Sequence, residues 1–161
     1  MAKVTPLQGD LLHLPATLCL SIGVRLRLGD GPNCEHPPEP RLAASPRHTF
    51  ADLAIAIDEA FGRWELGHRR EFALADGTRL GEVADDRKGS RRLVDYRRAR
   101  LHRLQGGEPF TYTFESGERW LHECVLVGSI DPDEVLADRP GHPVAYQPGR
   151  PTPDAEVRGR P

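Results

Sequence analysis

No apolar run in this 161-residue chain approaches the roughly 18 residues that a membrane-spanning helix needs, so no span and no membrane partner are expected. Cysteine is scarce. Cys19, Cys34 and Cys124 are odd in number and far apart, and no Cys-x-x-Cys pair occurs. That argues against a disulfide framework or a zinc knuckle and fits a reducing compartment, so a cytoplasmic location is expected. An excess of either charge is also missing. Lys and Arg total 22 against 24 Asp and Glu, a formal net charge of −2, so no global field steers the chain toward nucleic acid or lipid. Gly-x-Ser-x-Gly, a phosphate loop, His-Glu-x-x-His and a dinucleotide fingerprint are all absent, which removes the enzyme classes that these motifs mark. No internal repeat occurs either. The N-terminal stretch has a single basic residue, Lys3, and its apolar run is broken by Asp10, His13 and Pro15, so a signal peptide is not expected.

Proline and glycine are plentiful, 15 and 16 residues. Much of this lies in Gly29–Pro46 and Asp131–Pro161, which read as loop and tail. The chain length suits one domain with a tail. The expected organisation is a flexible N-terminus at 1–14, a folded domain at 15–130 and a flexible Pro-rich tail at 131–161. Polar, Pro-rich chain buries too little apolar surface to offset its ordering entropy.

The most informative segment is Phe110–Gly128, FTYTFESGERWLHECVLVG. Phe110, Tyr112 and Phe114 alternate with Thr111 and Thr113, the period of a half-buried strand. A polar break at Ser116-Gly117-Glu118 precedes a second apolar run with Trp120, His122, Glu123 and Cys124. A three-residue loop, with Gly117 at positive φ, puts Phe114 opposite Trp120, Tyr112 opposite His122 and Phe110 opposite Cys124. One face is then aromatic with a single histidine. The other holds Thr111, Thr113 and Glu115 opposite Glu123, Leu121 and Arg119, including a Glu115–Arg119 charge pair. A slip of one residue would send every side chain to the wrong side.

Elsewhere, Thr17–Leu28 reads as a strand, with Val24, Leu26 and Leu28 alternating with Arg25 and Arg27. A helix is predicted over 49–61. Phe50, Leu53, Ile57 and Phe61 recur at helical spacing, Ser45, His48 or Thr49 can cap its start, and Gly62 stops it. Arg70–Leu74 and Thr78–Val83 read as strands joined at Asp76-Gly77. The stretch 87–103 holds eight basic residues (Arg87, Lys88, Arg91, Arg92, Arg97, Arg98, Arg100 and Arg103) against Asp95 alone. Such residues neutralise phosphates whatever the base sequence, and Tyr96 and His102 can stack on bases, so nucleic acid is a candidate partner. The plain alternative is a solvated basic edge.

Two blocks resemble the plasmid pRiA4b ORF-3-like family, whose members also occur as passenger proteins of insertion elements. In His48–Phe72 the matching residues are Thr49, Leu53, Ala60, Phe61, Gly62, Trp64, His68, Glu71 and Phe72. Arg63 is an insertion, and Arg70 stands where a second histidine is usual. In the hairpin the matches are Tyr112, Phe114, Gly117, Trp120 and His122, with Glu115 and Glu118 in place of two aspartates. The resemblance implies an α+β domain of the roll type, a mostly antiparallel sheet packed on one main helix, and it implies little chemistry.

The function expected first is a non-enzymatic binding or adaptor domain for a protein or small ligand, associated by resemblance with plasmids and mobile elements. Trp64, His68, Glu71, Tyr112, Trp120 and His122 are the groove candidates, because aromatic side chains dominate binding anchors. Trp64, His68, Trp120 and His122 are expected in one region of the fold. A nucleic-acid-binding accessory protein using 87–103 is one alternative. A small metal-dependent or acid–base enzyme is another, with His68, His122, Glu115 and Glu118 as its ligands or acids. No cofactor is implied.

Overall fold

The computed structural model of the chain describes residues 4–7, 9–10, 19–28, 39–62, 69–82, 93–115, 119–131 and 143–146. These form β1 (Thr5–Pro6), β2 (Gly9–Asp10), β3 (Cys19–Leu28), β4 (Arg41–Ala44), α1 (Phe50–Ala60), β5 (Arg69–Ala73), β6 (Arg79–Gly81) and β7 (Leu93–Asp95). A 3-10 turn at Leu101–Arg103, β8 (Gln105–Gly106), β9 (Pro109–Glu115), β10 (Arg119–Ile130) and β11 (Val144–Tyr146) complete them.

One nine-stranded sheet dominates, in the order β11-β4-β3-β10-β9-β5-β6-β7, with β1 added on β10. β2 and β8 make a separate two-stranded sheet. Every pairing is antiparallel except β6 with β7, which is parallel. The expected roll with its sheet packed on one main helix is therefore corrected to a sheet-dominated mixed fold, with one 11-residue α-helix among the described residues. The difference comes from segments read as loop or tail. Arg41–Ala44 lies in the Pro-rich 29–46 stretch, yet pairs with β3 through Leu20↔Ala44 and Ile22↔Leu42. Leu93–Asp95 lies in the basic stretch, yet pairs with β6. Short strands of three or four residues show too few alternations to stand out in sequence.

Three strands fall outside the 15–130 span, β2 at Gly9–Asp10 among them. Thr5–Pro6 pairs with Gly128 and Ser129, and Val144–Tyr146 pairs with β4. Gly128 is required where β1 crosses, since a Cβ there would lie 2.1 Å from the Thr5 carbonyl oxygen.

The helix forms where its capping residues dictate. Thr49 Oγ1 accepts from the Asp52 amide at 3.1 Å, and the Thr49 amide donates to Asp52 Oδ2 at 2.9 Å, a reciprocal capping box. The Phe50 and Ala51 amides donate to the carbonyls of Ala99 and Tyr96, so the turn after β7 satisfies donors that the helix itself cannot. Gly62, at φ +73°, ends the helix. Phe50, Leu53, Ala54, Ile57 and Asp58 face the sheet and are buried. There they meet Leu20, Ile22, Leu42, Phe72, Leu80, Phe110, Tyr112 and Leu126. Each such apolar side chain contributes about 1.5–3 kcal/mol by leaving water.

Candidate functional site

The hairpin register is the one that a three-residue loop gives. Trp120 pairs with Phe114, His122 with Tyr112, Cys124 with Phe110 and Arg119 with Glu115. The aromatic face turns inward under α1. Tyr112 and His122 are fully buried, and Trp120 is half-buried against the core edge. The His122 ring lies 5.0 Å from the Phe61 ring in an edge contact and 5.3 Å from that of Tyr112. Its Nδ1 sits 2.9 Å from the Tyr112 carbonyl oxygen. A carbonyl only accepts, so the contact calls for a proton on Nδ1.

Beside this pair lies a buried ionic cluster. Tyr112 Oη donates to Asp58 Oδ1 at 2.9 Å, and Arg70 Nε donates to Asp58 Oδ2 at 2.8 Å. The side chains of Arg70 and Asp58 are 14 % and 5 % exposed. The Arg70 guanidinium also lies 5.7 Å from the Phe114 ring centre. Burial works against the Arg70 charge, but the hydrogen bond and charge of Asp58 outweigh it and hold the pKa above its ordinary value. On the same side Tyr96 Oη donates to Glu82 Oε1 at 3.1 Å. Burial first, and then the Glu82 charge, push the Tyr96 phenol up. The cluster ties α1 to β5 and β9. Arg70 is thus the ion-pair partner of a buried helix carboxylate.

The other groove candidates do not all join this face. Glu71 lies on the opposite side of β5, 2.5 Å from Arg79, because it alternates with Arg70 and Phe72. Glu115 is exposed at the end of β9 and by alternation points away from His122, so these two cannot share a metal ion. No group of three or more His, Cys, Asp or Glu side chains gathers around a metal position among the described residues. Trp64, His68 and Glu118 lie outside the described residues, and so does the expected convergence of Trp64 and His68 with Trp120 and His122. The flanks of 63–68 are placed: Phe61 touches the His122 ring, and Arg69 pairs with Glu115.

Of the basic stretch, Arg87, Lys88, Arg91 and Arg92 lie outside the described residues, while Arg97, Arg98, Arg100 and Arg103 are exposed. Arg97 and Arg98 approach Asp95 at 3.3 and 3.9 Å. The Arg97 amide chiefly, then its side chain, hold the Asp95 carboxyl below its ordinary pKa. Arg100 donates to the Arg47 carbonyl oxygen at 2.5 Å. Arg103 lines a cleft of about 40 Å³ with Leu74, Asp76 and Phe110, room for about one water. Arg97, Arg98 and Arg100 therefore stand on the turn that caps α1, and Arg103 on the 3-10 turn that follows it.

A second surface was not singled out in the sequence. The sheet face opposite α1 carries one row running Arg79, Ala73, Thr111, Glu123 and Arg25, and another running Arg69, Glu115 and Arg119. Arg25, Arg27, Arg69, Arg79 and Arg119 are exposed. Between them Thr111, Thr113 and Leu121 are half-buried. The acids on the strands of this face are Glu71, Glu115 and Glu123; Arg27 reaches Glu123 at 3.5 Å, and Arg25 donates to Glu39 at 2.7 Å. The Val-Arg-Leu-Arg alternation of β3 was the signal for this surface; it identified the strand but not what the outward arginines would join.

No helix among the described residues is long and apolar enough to cross a membrane. No protein-family model and no curated protein matches the chain. Among solved structures the chain is similar to the crystal structure of a protein of unknown function, MM3350, from Methanosarcina mazei Go1. The two share 21 % identity over 81 % of this chain and 67 % of that one, with a TM-score of 0.57. At that identity the likeness shows a shared fold and nothing of activity.

Proposed function

We propose that this chain is a non-enzymatic binding domain that holds an anionic segment of a protein partner on the sheet face opposite α1. The observation that carries this reading is the division of labour between the two faces. The groups with chemical potential in the hairpin region, Asp58, Arg70, Tyr112 and His122, bond to one another or to backbone inside the core. They serve as frame. The outer face instead presents five exposed arginines around Thr111, Thr113 and Leu121, against four glutamates, Glu39 beside Arg25 among them. Arginine is the cation suited to carboxylate recognition, because its fork donates two parallel hydrogen bonds. A cytoplasmic setting and kinship with the pRiA4b ORF-3-like, mobile-element proteins belong to the same proposal. Cys19 and Cys124, both buried free thiols, support the first. The inward aromatic hairpin with Trp120 and His122 supports the second.

A second reading is nucleic-acid binding through the helix-capping turn. The exposure of Arg97, Arg98, Arg100 and Arg103 on two successive turns favours it. Titrating the full chain with a polyglutamate peptide and, separately, with duplex DNA at several salt concentrations tests both. The first reading expects saturable peptide binding that weakens with salt. Binding of DNA alone, with a steep salt slope, overturns the first reading in favour of the second.

A further inference from the structure

The end of the sheet nearest the C-terminus is closed by a strand of three residues. Val144, Ala145 and Tyr146 pair antiparallel with Ala43, Leu42 and Arg41 on the outer edge of β4. Val144 and Tyr146 pack on a small apolar cluster of Cys19, Ala43 and Ile130, separate from the main core. The Tyr146 hydroxyl shares a hydrogen bond with that of Ser21, a fully buried side chain. This end of the sheet thus has an apolar seat for Val144 and, two residues on, a hydroxyl partner for a tyrosine.

The strand is joined to the rest of the sheet by more chain than the distance between them requires. From Asp131, beside Ile130, to Pro143 the chain runs 12 residues, and extended chain covers about 3.3–3.6 Å per residue, so the tether reaches roughly 40 Å. The gap to be crossed is three strand spacings, from β10 through β3 and β4 to β11, about 14 Å at 4.7–4.9 Å each. The strand is not forced onto its own edge. It stays there at an effective concentration of the millimolar order set by its tether.

We propose that the outer edge of β4 is a strand-accepting groove for an extended peptide of the pattern apolar-x-Tyr, presented by a partner protein, and that Val144–Tyr146 is the chain's own pseudo-ligand occupying it. An exposed edge offers unpaired N–H and C=O groups that any extended segment can complete. Selection for the pattern comes from the cluster under Val144 and from Ser21 under Tyr146. The seated segment of the chain itself defines the chemistry that the groove accepts. The proposal does not depend on the anionic face described above, which lies on other strands.

The probe is a fluorescent synthetic peptide copying residues 142–149, HPVAYQPG, titrated against the full chain and read by anisotropy. Wild type should bind it weakly, because the tethered strand competes. Tyr146→Ala should bind it at least about tenfold tighter, since release of the strand removes a competitor at the millimolar order. A probe with alanine for its tyrosine should not bind. Tyr146→Phe keeps the ring on its cluster and breaks only the Ser21 bond, so it should give a smaller gain of the same sign even if Tyr146→Ala fails to fold. Equal affinity of wild type and Tyr146→Phe, or binding indifferent to the probe's tyrosine, overturns the groove. Concentration-dependent dimers in Tyr146→Phe that the probe does not dissolve overturn the assignment to a foreign peptide, because a second copy would then fill the edge.

Discussion

Replacing Arg70 by methionine removes a guanidinium from a site where it and Asp58 are 14 % and 5 % exposed. Methionine roughly fills the stem and keeps the contact with Phe114, so the change isolates the charge. It leaves the Asp58 carboxylate buried with Tyr112 Oη, 2.9 Å away, as its remaining donor in this cluster. Breaking a buried pair from one side costs about 3–5 kcal/mol, because the surviving charge stays out of water. Tyr112→Phe removes one hydrogen bond to the same carboxylate and should cost less, about 1.5–3 kcal/mol. Asp58→Asn in the Arg70→Met background removes the stranded charge, so the double variant should cost clearly less than the sum of the single changes. Urea unfolding followed by tryptophan fluorescence measures all of these, with the slope checked for two-state behaviour. A cost below about 1 kcal/mol for Arg70→Met, the range of exposed pairs, or strict additivity in the double variant, would refute the view that this cluster anchors α1 to β5 and β9.

Leu53→Ala should cost about 2–5 kcal/mol in the same assay, as a fully buried large-to-small change. His122→Ala should destabilise by a similar amount of about 2–5 kcal/mol, since the ring is fully buried between Phe61 and Tyr112; a variant of native stability would instead return His122 to the list of binding residues. Gly128→Ala should release β1, because the new Cβ meets the Thr5 carbonyl, and amide exchange at Val4–Leu7 should accelerate while that of β9 does not. Burial chiefly, with Asp131 adding, pushes the Cys19 thiol from an ordinary 9.0 up to about 11, and burial pushes Cys124 up in the same sense. Raised values mean that the folded state holds these protons more tightly, so the contribution is full below pH 9.0 and is lost as pH climbs toward about 11. The urea midpoint should fall across that window, and Cys19→Ala should flatten the fall.

What the sequence made legible followed from strict periodicity. The hairpin's alternation and its Ser-Gly-Glu break allowed only one register that buries all its aromatics, and the observed pairs are those of that register. The helix was readable from its repeat and from Thr49 and Gly62 at its ends. The short strands at the two ends of the sheet were not, because RLAA, LVD and VAY each span at most two alternations and sit among prolines or arginines. Their positions depend on neighbours distant in sequence, such as Ser21 for Tyr146. The candidate site was legible as a set of residues but not as a set of directions. Tyr112 and His122 alternate inward, Glu71 alternates outward, and an aromatic strand pattern looks the same whether it lines a groove or fills a core. Asp58 and Arg70 were missed because a lone acid on a helix and a lone arginine in a strand read as solvated until the two meet.

The central claim, that the outer sheet face is the binding surface, is tested most directly by paired charge reversals measured against one anionic probe. Arg25→Glu/Arg119→Glu alters the outer face, and Arg97→Glu/Arg98→Glu alters the helix-capping turn; all four arginines are exposed, so losing their surface ion pairs should cost no more than about 1 kcal/mol per site. Polyglutamate binding at low salt should be lost in the first variant and kept in the second. Loss in the second variant with retention in the first would contradict the account and move the binding surface to the turn at 95–104.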